Sequence, residues 1–548
     1  MNHPVCIRAN VVNIAQRHIF PAEVHISEGI IAAIRPMNAP CQHFLLPGFI
    51  DAHVHIESSM LVPAQFARLA TLHGTVATVS DPHEIANVMG IEGVRYMVHN
   101  GNSVPFKFFF GAPSCVPATG FETAGATLHA EQIRELFQKD RLKYLAEMMN
   151  YPGVLHQNEE VMAKIDIAKS LGKPIDGHAP GLCGELARQY AAAGISTDHE
   201  CYTAQEALDK LAAGMKIIIR EGSAAKNFDA LAPLLDQHWQ QMMFCSDDKH
   251  PDSLVEGHIN QLAARAVALG LDVFKVLQAA CLNPIHHYGL EVGQLRIGDP
   301  ADCILVEDLT HFKVLQTWIN GKLVAENGVP LIKAHHFTQK PNHFCVQPIQ
   351  QEDLRLKATS NLVRTIVAYD GQLITGETYM PVTAENGWAI ADPTKDLLKI
   401  VVVNRYRSAA PAIGFVKGFG LQCGAIASSV AHDSHNIVAV GTNDELLCRA
   451  INAVIAAKGG IAACSPHTTK LLPLPIAGLM SDQDAYYVAH TYQEIDSFAK
   501  TLCAPYPSAM KAPFMTLSFM ALLVIPSLKM SDLGLFNGNK FEFSQVFC

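Results

Sequence analysis

The chain has 548 residues, 49% of them hydrophobic and 17% charged, with a net charge of −10. A single hydrophobic core stops growing at roughly 250–300 residues, so two or three globular domains are expected. Lys and Arg are scattered along an acidic chain and form no positive face to neutralise phosphates, which argues against nucleic acid as a partner.

Residues 1–10 show no charged segment followed by an apolar run, so no secretory signal is expected. The 14 cysteines include no C-x-x-C pair, which points to reduced thiols and a cytoplasmic location. Near the end, the apolar stretch 514–525 is shorter than the roughly 20 residues a bilayer requires, contains Thr516 and Ser518, and stops at Pro526. It reads as a buried element, and no membrane partner is expected.

In chain order, residues 5–13 and 24–34 read as strands, the second broken at Ser27-Glu28-Gly29. From about 44 to 246, short β-rich runs alternate with amphipathic stretches, as in repeated βα units around a parallel sheet. The eight runs are 45–50, 74–79, 107–110, 143–146, 173–177, 194–197, 215–219 and 242–245, with helices expected over 84–98, 159–170, 185–193 and 223–236. Eight such units predict a closed (β/α)₈ barrel of the TIM type. Residues 301–307 and 311–324 read as further strands, the latter turning at Asn320-Gly321. Neither flank is large enough to form a stable sheet alone, so residues 1–45 and 297–340 are expected to pair into one small β domain. Residues 46–296 form the barrel, and 341–548 form a third, C-terminal α+β domain.

Barrel active sites form where the strands end. Those ends carry His53 and His55 after run one, Asp81, His83 and Glu84 after run two, Glu147 after run four, His178 after run five, His199 after run six and Asp247 after run eight. His53 and His55 are two apart on an extended segment, so their rings project to one side and reach one ion together. A chance H-x-H is common in a chain with 26 histidines, and each later ligand taken singly is more simply a structural residue. Gathered at successive strand ends they form a borderline N/O donor set suited to Zn, Mn or Fe, with Glu147 able to bridge two ions.

The blocks at 47–59 (PGFIDAHVHIESS), 80–87 (SDPHEIAN), 176–181 (DGHAPG), 197–201 (TDHEC) and 246–251 (SDDKHP) resemble the adenine deaminases of the amidohydrolase superfamily, as do 424–436 (GAIASSVAHDSHN) and 515–519 (MTLSF). The resemblance spans nearly the whole chain. Many members of the superfamily bridge their metals with a carboxylated lysine on strand four; here Lys143 shares the parity of Glu147 but lies deeper, and the resemblance implies the glutamate.

The resemblance implies hydrolysis of adenine to hypoxanthine and ammonia, in purine salvage, by water activated between two divalent ions, Mn²⁺ or Fe²⁺ foremost and Zn²⁺ also compatible. His53, His55, Glu147, His178, His199 and Asp247 are the expected ligands, and Asp247 the expected proton shuttle. Asp81, His83 and Glu84 are the candidates for holding the purine and protonating a ring nitrogen. The bland reading of Asp81 and Glu84 is a capping box on the following helix. Asp248, Lys249 and His250 are further candidates for the mouth of the site. The segment 432–435 (HDSH) reads as a polar turn, a second metal site or part of the active-site wall.

The alternative activity is that of a related amidohydrolase on another nucleobase or a cyclic amide, of dihydroorotase or hydantoinase kind. Cytidine-type zinc deamination is excluded, because that chemistry uses P-C-x-x-C. The expected partners are a small-molecule substrate, adenine, and further copies of the chain in a homo-oligomer.

Overall fold

The computed structural model describes residues 5–333, 338–503 and 510–548; residues 1–4 of the opening segment lie outside that range.

Eight parallel strands form the barrel: Phe49–Val54, Thr75–Ser80, Lys107–Phe110, Leu145–Met148, Ile175–Gly177, Thr197–Asp198, Lys216–Arg220 and Met242–Cys245. Their residues are buried on both faces, as parallel strands covered by helices must be. Backbone bonds carry the ring past the short regular ladders: Ala112 N to Tyr144 O (2.9 Å) joins strands three and four, and Ser196 N to Ile175 O (2.8 Å) joins five and six. The barrel closes where Asp247 N donates to His53 O at 3.0 Å and His55 N donates to Asp247 O at 3.3 Å. Closure therefore falls on the H-x-H itself.

Four expectations need correction. The run 45–50 is two strands, Phe44–Pro47 in the small sheet and Phe49–Val54 in the barrel. Gly48 separates them because a Cβ there would stand 2.2 Å from Val76 Cγ1. The fourth strand is Leu145–Met148, so Glu147 lies within it, while Lys143 precedes it and bonds Glu291 at 2.6 Å. The helix expected over 84–98 breaks into His83–Met89 and Ile91–Gly101 at Gly90 (φ 62°), and that over 223–236 is short pieces, Phe228–Leu231 and Leu235–His238 among them.

Both flanks of the barrel enter one eight-stranded sheet, in the order Val329–Pro330, Lys322–Glu326, Val314–Ile319, Cys303–Val306, Phe44–Pro47, Val5–Asn13, His18–Ser27, Ile30–Pro36. Cys303–Val306 runs antiparallel to Phe44–Pro47, and that pairing joins the two flanks. The turns at Glu28-Gly29 and Asn320-Gly321 have positive φ at both residues, as two-residue hairpin turns require.

The C-terminal region holds a second eight-stranded sheet whose central strands include Leu398–Val403 and Ile437–Gly441, with helices Asp444–Ala456 and Ala485–Thr501. The stretch at 514–525 begins in the buried helix Pro513–Phe519. No helix among the described residues is long and apolar enough to cross a membrane. This region docks on the barrel mouth: Ser481 N donates to Met60 O (2.8 Å), Ala225 N to Gly371 O (3.1 Å), and Thr123 N to Asp532 Oδ1 (2.9 Å). Apolar residues of both regions share one continuous core.

Candidate active site

Strand one ends in Asp51-Ala52-His53-Val54-His55, and Asp51 fixes it. Its carboxylate accepts from Ser246 N at 3.0 Å and pairs with His258 Nε2 at 2.8 Å, tying strand one to strand eight. Above this anchor the two imidazoles converge, with Nε2 of His53 and of His55 3.1 Å apart. Asp247 Oδ1 lies 3.3 Å from the first and 3.1 Å from the second.

Glu147 divides the cluster. Oε1 faces His55 Nε2 at 3.3 Å; Oε2 faces His178 Nδ1 at 2.7 Å and His199 Nε2 at 3.2 Å. Burial alone would raise this carboxyl, but the imidazoles of His178, His199 and His55 hold it well below the usual carboxylate range. All six expected ligands are thus gathered in one buried cluster.

Donor atoms bound about 2.1 Å from one ion stand about 3.0–3.4 Å apart in octahedral or tetrahedral geometry. The spacings among His53, His55, Asp247, His199 and Glu147 match that range, the His178 to Glu147 contact at 2.7 Å is shorter, and the donors fall into two sets sharing Glu147. The residues fit divalent cations.

The second-strand residues divide differently. Asp81 Oδ1 accepts the backbone N–H of His83 at 3.0 Å and Oδ2 stands 3.2 Å from His83 Nδ1. Asp81 does not line the cavity, whereas His83 and Glu84 do, but its carboxylate joins His55, His83 and Glu147 in a donor group whose atoms lie within 4.8 Å of one another. The capping box does not form: Pro82 is the N-cap without a side-chain bond, and the N–H of Ile85 is taken by Glu57 Oε1 at 3.2 Å. Glu84 instead turns to the C-terminal region, where it meets His432 and His435.

That contact settles the HDSH segment as part of the active-site wall. The cavity is lined on the barrel side by His55, His83, Glu84, Glu147, Met149, His178, His199, Glu200, Arg220, Asp247 and Asp248, and on the other by Leu373, His432, Asp433, Phe519 and Leu522. Polar groups dominate the barrel wall, and the other adds the apolar Leu373, Phe519 and Leu522 beside His432 and Asp433, a mixed lining of the kind that binds a polar heterocycle. Of the further candidates, Asp248 lines this cavity and His250 lines a small neighbouring one, its imidazole lowered to about 3 by burial and His432. Lys249 is buried, which lowers its ammonium to about 8.

Glu200 and Arg220 were not singled out among the expected site residues. Arg220, fully buried as the last residue of strand seven, grips Glu200 and donates to Asp247 Oδ2 at 2.8 Å. A lone arginine after an apolar run was the only signal in the sequence.

A (β/α)₈ barrel with imidazoles and carboxylates converging at the C-terminal ends of its strands defines a metal-dependent hydrolase. Residues 44–324 match the amidohydrolase family, and residues 372–542 match the adenine deaminase C-terminal domain. The chain is 55% identical to adenine deaminase of Salinibacter ruber over 542 residues, covering 99% of this chain and 98% of that one. It is 54% identical to adenine deaminase of Sulfurovum sp. over 537 residues, with 98% of each chain covered. The solved β-aspartyl dipeptidase of Fervidobacterium islandicum is 16% identical, covering 61% of this chain and all of that one, with a TM-score of 0.47. The chain belongs to the adenine deaminase family.

Proposed function

We propose that this chain hydrolyses adenine to hypoxanthine and ammonia in purine salvage, with two divalent cations held by His53, His55, Glu147, His178, His199 and Asp247. The observation that carries this reading is the position of Glu147, whose two oxygens face separate imidazole sets in a cavity also lined by the apolar Leu373, Phe519 and Leu522. Mn²⁺ or Fe²⁺ suits the mixed nitrogen and carboxylate set, and Zn²⁺ is compatible with it. When bound, a pair of such ions lowers the pKa of a shared water toward neutrality and so supplies the nucleophile.

The rest falls to the side chains. Asp247 accepts a proton from the attacking water and delivers it to the departing amine. Glu84 exchanges the proton at the ring nitrogen beside the attacked carbon, so that of the two water protons one ends on that nitrogen and one on ammonia. His83 reaches toward the ring, and Asp81 acts through it. Leu373, Phe519, Leu522 and Met149 cover the base and exclude bulk water. On this reading residues 46–296 are the catalytic barrel, 1–45 with 297–340 the small β domain, and 341–548 the roof of the site. The 14 cysteines, with no C-x-x-C pair among them, support a cytoplasmic location.

The test is ammonia release and hypoxanthine formation from adenine by Mn²⁺-loaded protein, with adenosine, guanine and cytosine as controls. Turnover of a cyclic amide without turnover of adenine would replace this reading with the dihydroorotase-like one.

A further inference from the structure

Glu84 lies in the first turn of the helix after strand two, and its carboxylate, 3.7 Å from His83 Nε2, does not cap that helix. Helix-end donors are met by Glu57 and Asp81. Glu84 Oε2 instead accepts a hydrogen bond from Nε2 of His435, and Oε1 forms an ion pair with Nδ1 of His432. All three side chains are almost fully buried.

The backbone decides which nitrogen of His435 carries the proton. Nδ1 accepts the N–H of Ala431 at 3.1 Å, so the neutral ring bears its proton on Nε2 and donates it to Glu84. The ring has little freedom to turn. His435 holds a left-handed backbone (φ 56°), its N–H reaches Ala431 O at 2.8 Å, and its carbonyl accepts from Arg405 at 3.3 Å. Arg405 is itself fixed by Asn342 Oδ1 at 2.7 Å and Ala477 O at 2.8 Å. Next along the segment, Ser434 O accepts from the Tyr406 hydroxyl at 2.5 Å. A glutamate rotates about three bonds, and proton exchange with one ring nitrogen demands orientation to a fraction of an ångström.

We propose that His435, assisted by His432, is a positioning residue for the deamination: the C-terminal domain donates the hydrogen bond that aims Glu84 at the substrate ring. This rests on the assignment of Glu84 above. The roof of the site then does more than exclude water, since it completes the acid–base machinery of the barrel. Two groups 351 residues apart in sequence act as one unit.

The experiment compares His435→Leu, which removes the donor, with His435→Gln, whose amide nitrogen keeps one near the same place. Both are purified with metals bound, and metal content, thermal midpoint, kcat and KM for adenine are measured. Loss of a donor that orients a charged catalytic group lowers kcat by roughly 30- to 300-fold. His435→Leu is expected to show that loss with KM within about threefold and two metals retained, and His435→Gln to recover to within about tenfold of wild type. The proposal is overturned if His435→Leu keeps kcat within threefold of wild type, if both variants are equally impaired, or if the loss follows metal content. Should His435→Leu fail to fold, His432→Leu is the second test, and an undiminished kcat there also overturns it. A wild-type protein inactive on adenine sinks the function and this inference together, whereas an active wild type matched by His435→Leu sinks the inference alone.

Discussion

Arg220 donates to Asp247 Oδ2 at 2.8 Å while the same guanidinium grips Glu200, so the carboxylate assigned to proton transfer is held from behind by a buried cation. Burial alone would raise Asp247, but Arg220, His53 and His55 keep it well below the usual range. Its other oxygen stays on the His53 and His55 side.

Asp247→Asn should therefore lower kcat by roughly 10²- to 10⁴-fold, through loss of the group that takes and returns the proton. Arg220→Met strands two buried carboxylates and should cost at least about tenfold in kcat as Asp247 loses its fixed orientation. Steady-state kinetics on adenine provide the check; a near-normal rate in Asp247→Asn removes that residue from the mechanism.

Prolonged chelation should abolish turnover, and about two equivalents of Mn²⁺, Fe²⁺ or Zn²⁺ per chain should restore it. His178→Ala and His199→Ala should each reduce bound metal as well as rate. Full activity with one equivalent, measured by elemental analysis beside the assay, contradicts the two-ion reading.

Glu147 faces both imidazole sets, so Glu147→Gln keeps the size of the bridge but removes the charge that lets two cations sit a few ångströms apart. The second metal should bind poorly and kcat should fall by about 10³-fold or more. Lys143 bonds Glu291, away from the cluster, so Lys143→Ala should keep both metals. Two metals and normal turnover in Glu147→Gln, with an empty site in Lys143→Ala, would reverse the assignment.

Lys529 is fully buried, and its ammonium donates to Leu373 O at 2.5 Å and Phe519 O at 2.9 Å, the carbonyls of two residues that roof the cavity. Burial lowers it from 10.5 to about 7. Between those values the unfolded chain holds this proton and the folded chain releases it, so the group makes stability rise with pH by up to about 1.4 kcal/mol per unit. Below pH 7 both states are protonated and the dependence vanishes. Urea unfolding of wild type and Lys529→Met from pH 6 to 10 should show wild type gaining on the variant above pH 7. Parallel curves across that range would show that the lysine does not titrate there.

The eight-strand alternation and the ligands at the strand ends were legible from the sequence, because period and residue type are local properties. His53 and His55 had to face one side, being two apart on a strand, and they lie 3.1 Å apart. Strand limits such as 45–50 were misread because the fold of two sheets meeting at Gly48 depends on Val76, a residue the local pattern does not see. Asp81 and Glu84 have the spacing of a capping box, and only the tertiary structure, by bringing Glu57 to Ile85 and His435 to Glu84, decided that the box does not form. Arg220 was silent, and the HDSH segment left open between three readings, for the same reason: a buried polar group acquires its role from the partner it faces, which lies 27 residues away for Arg220 and Asp247 and 351 for His435 and Glu84. Local chemistry named the donors, but the contacts that aim them are long-range: Asp247 is held once the barrel closes, and Glu84 only once the C-terminal region has folded onto the barrel mouth.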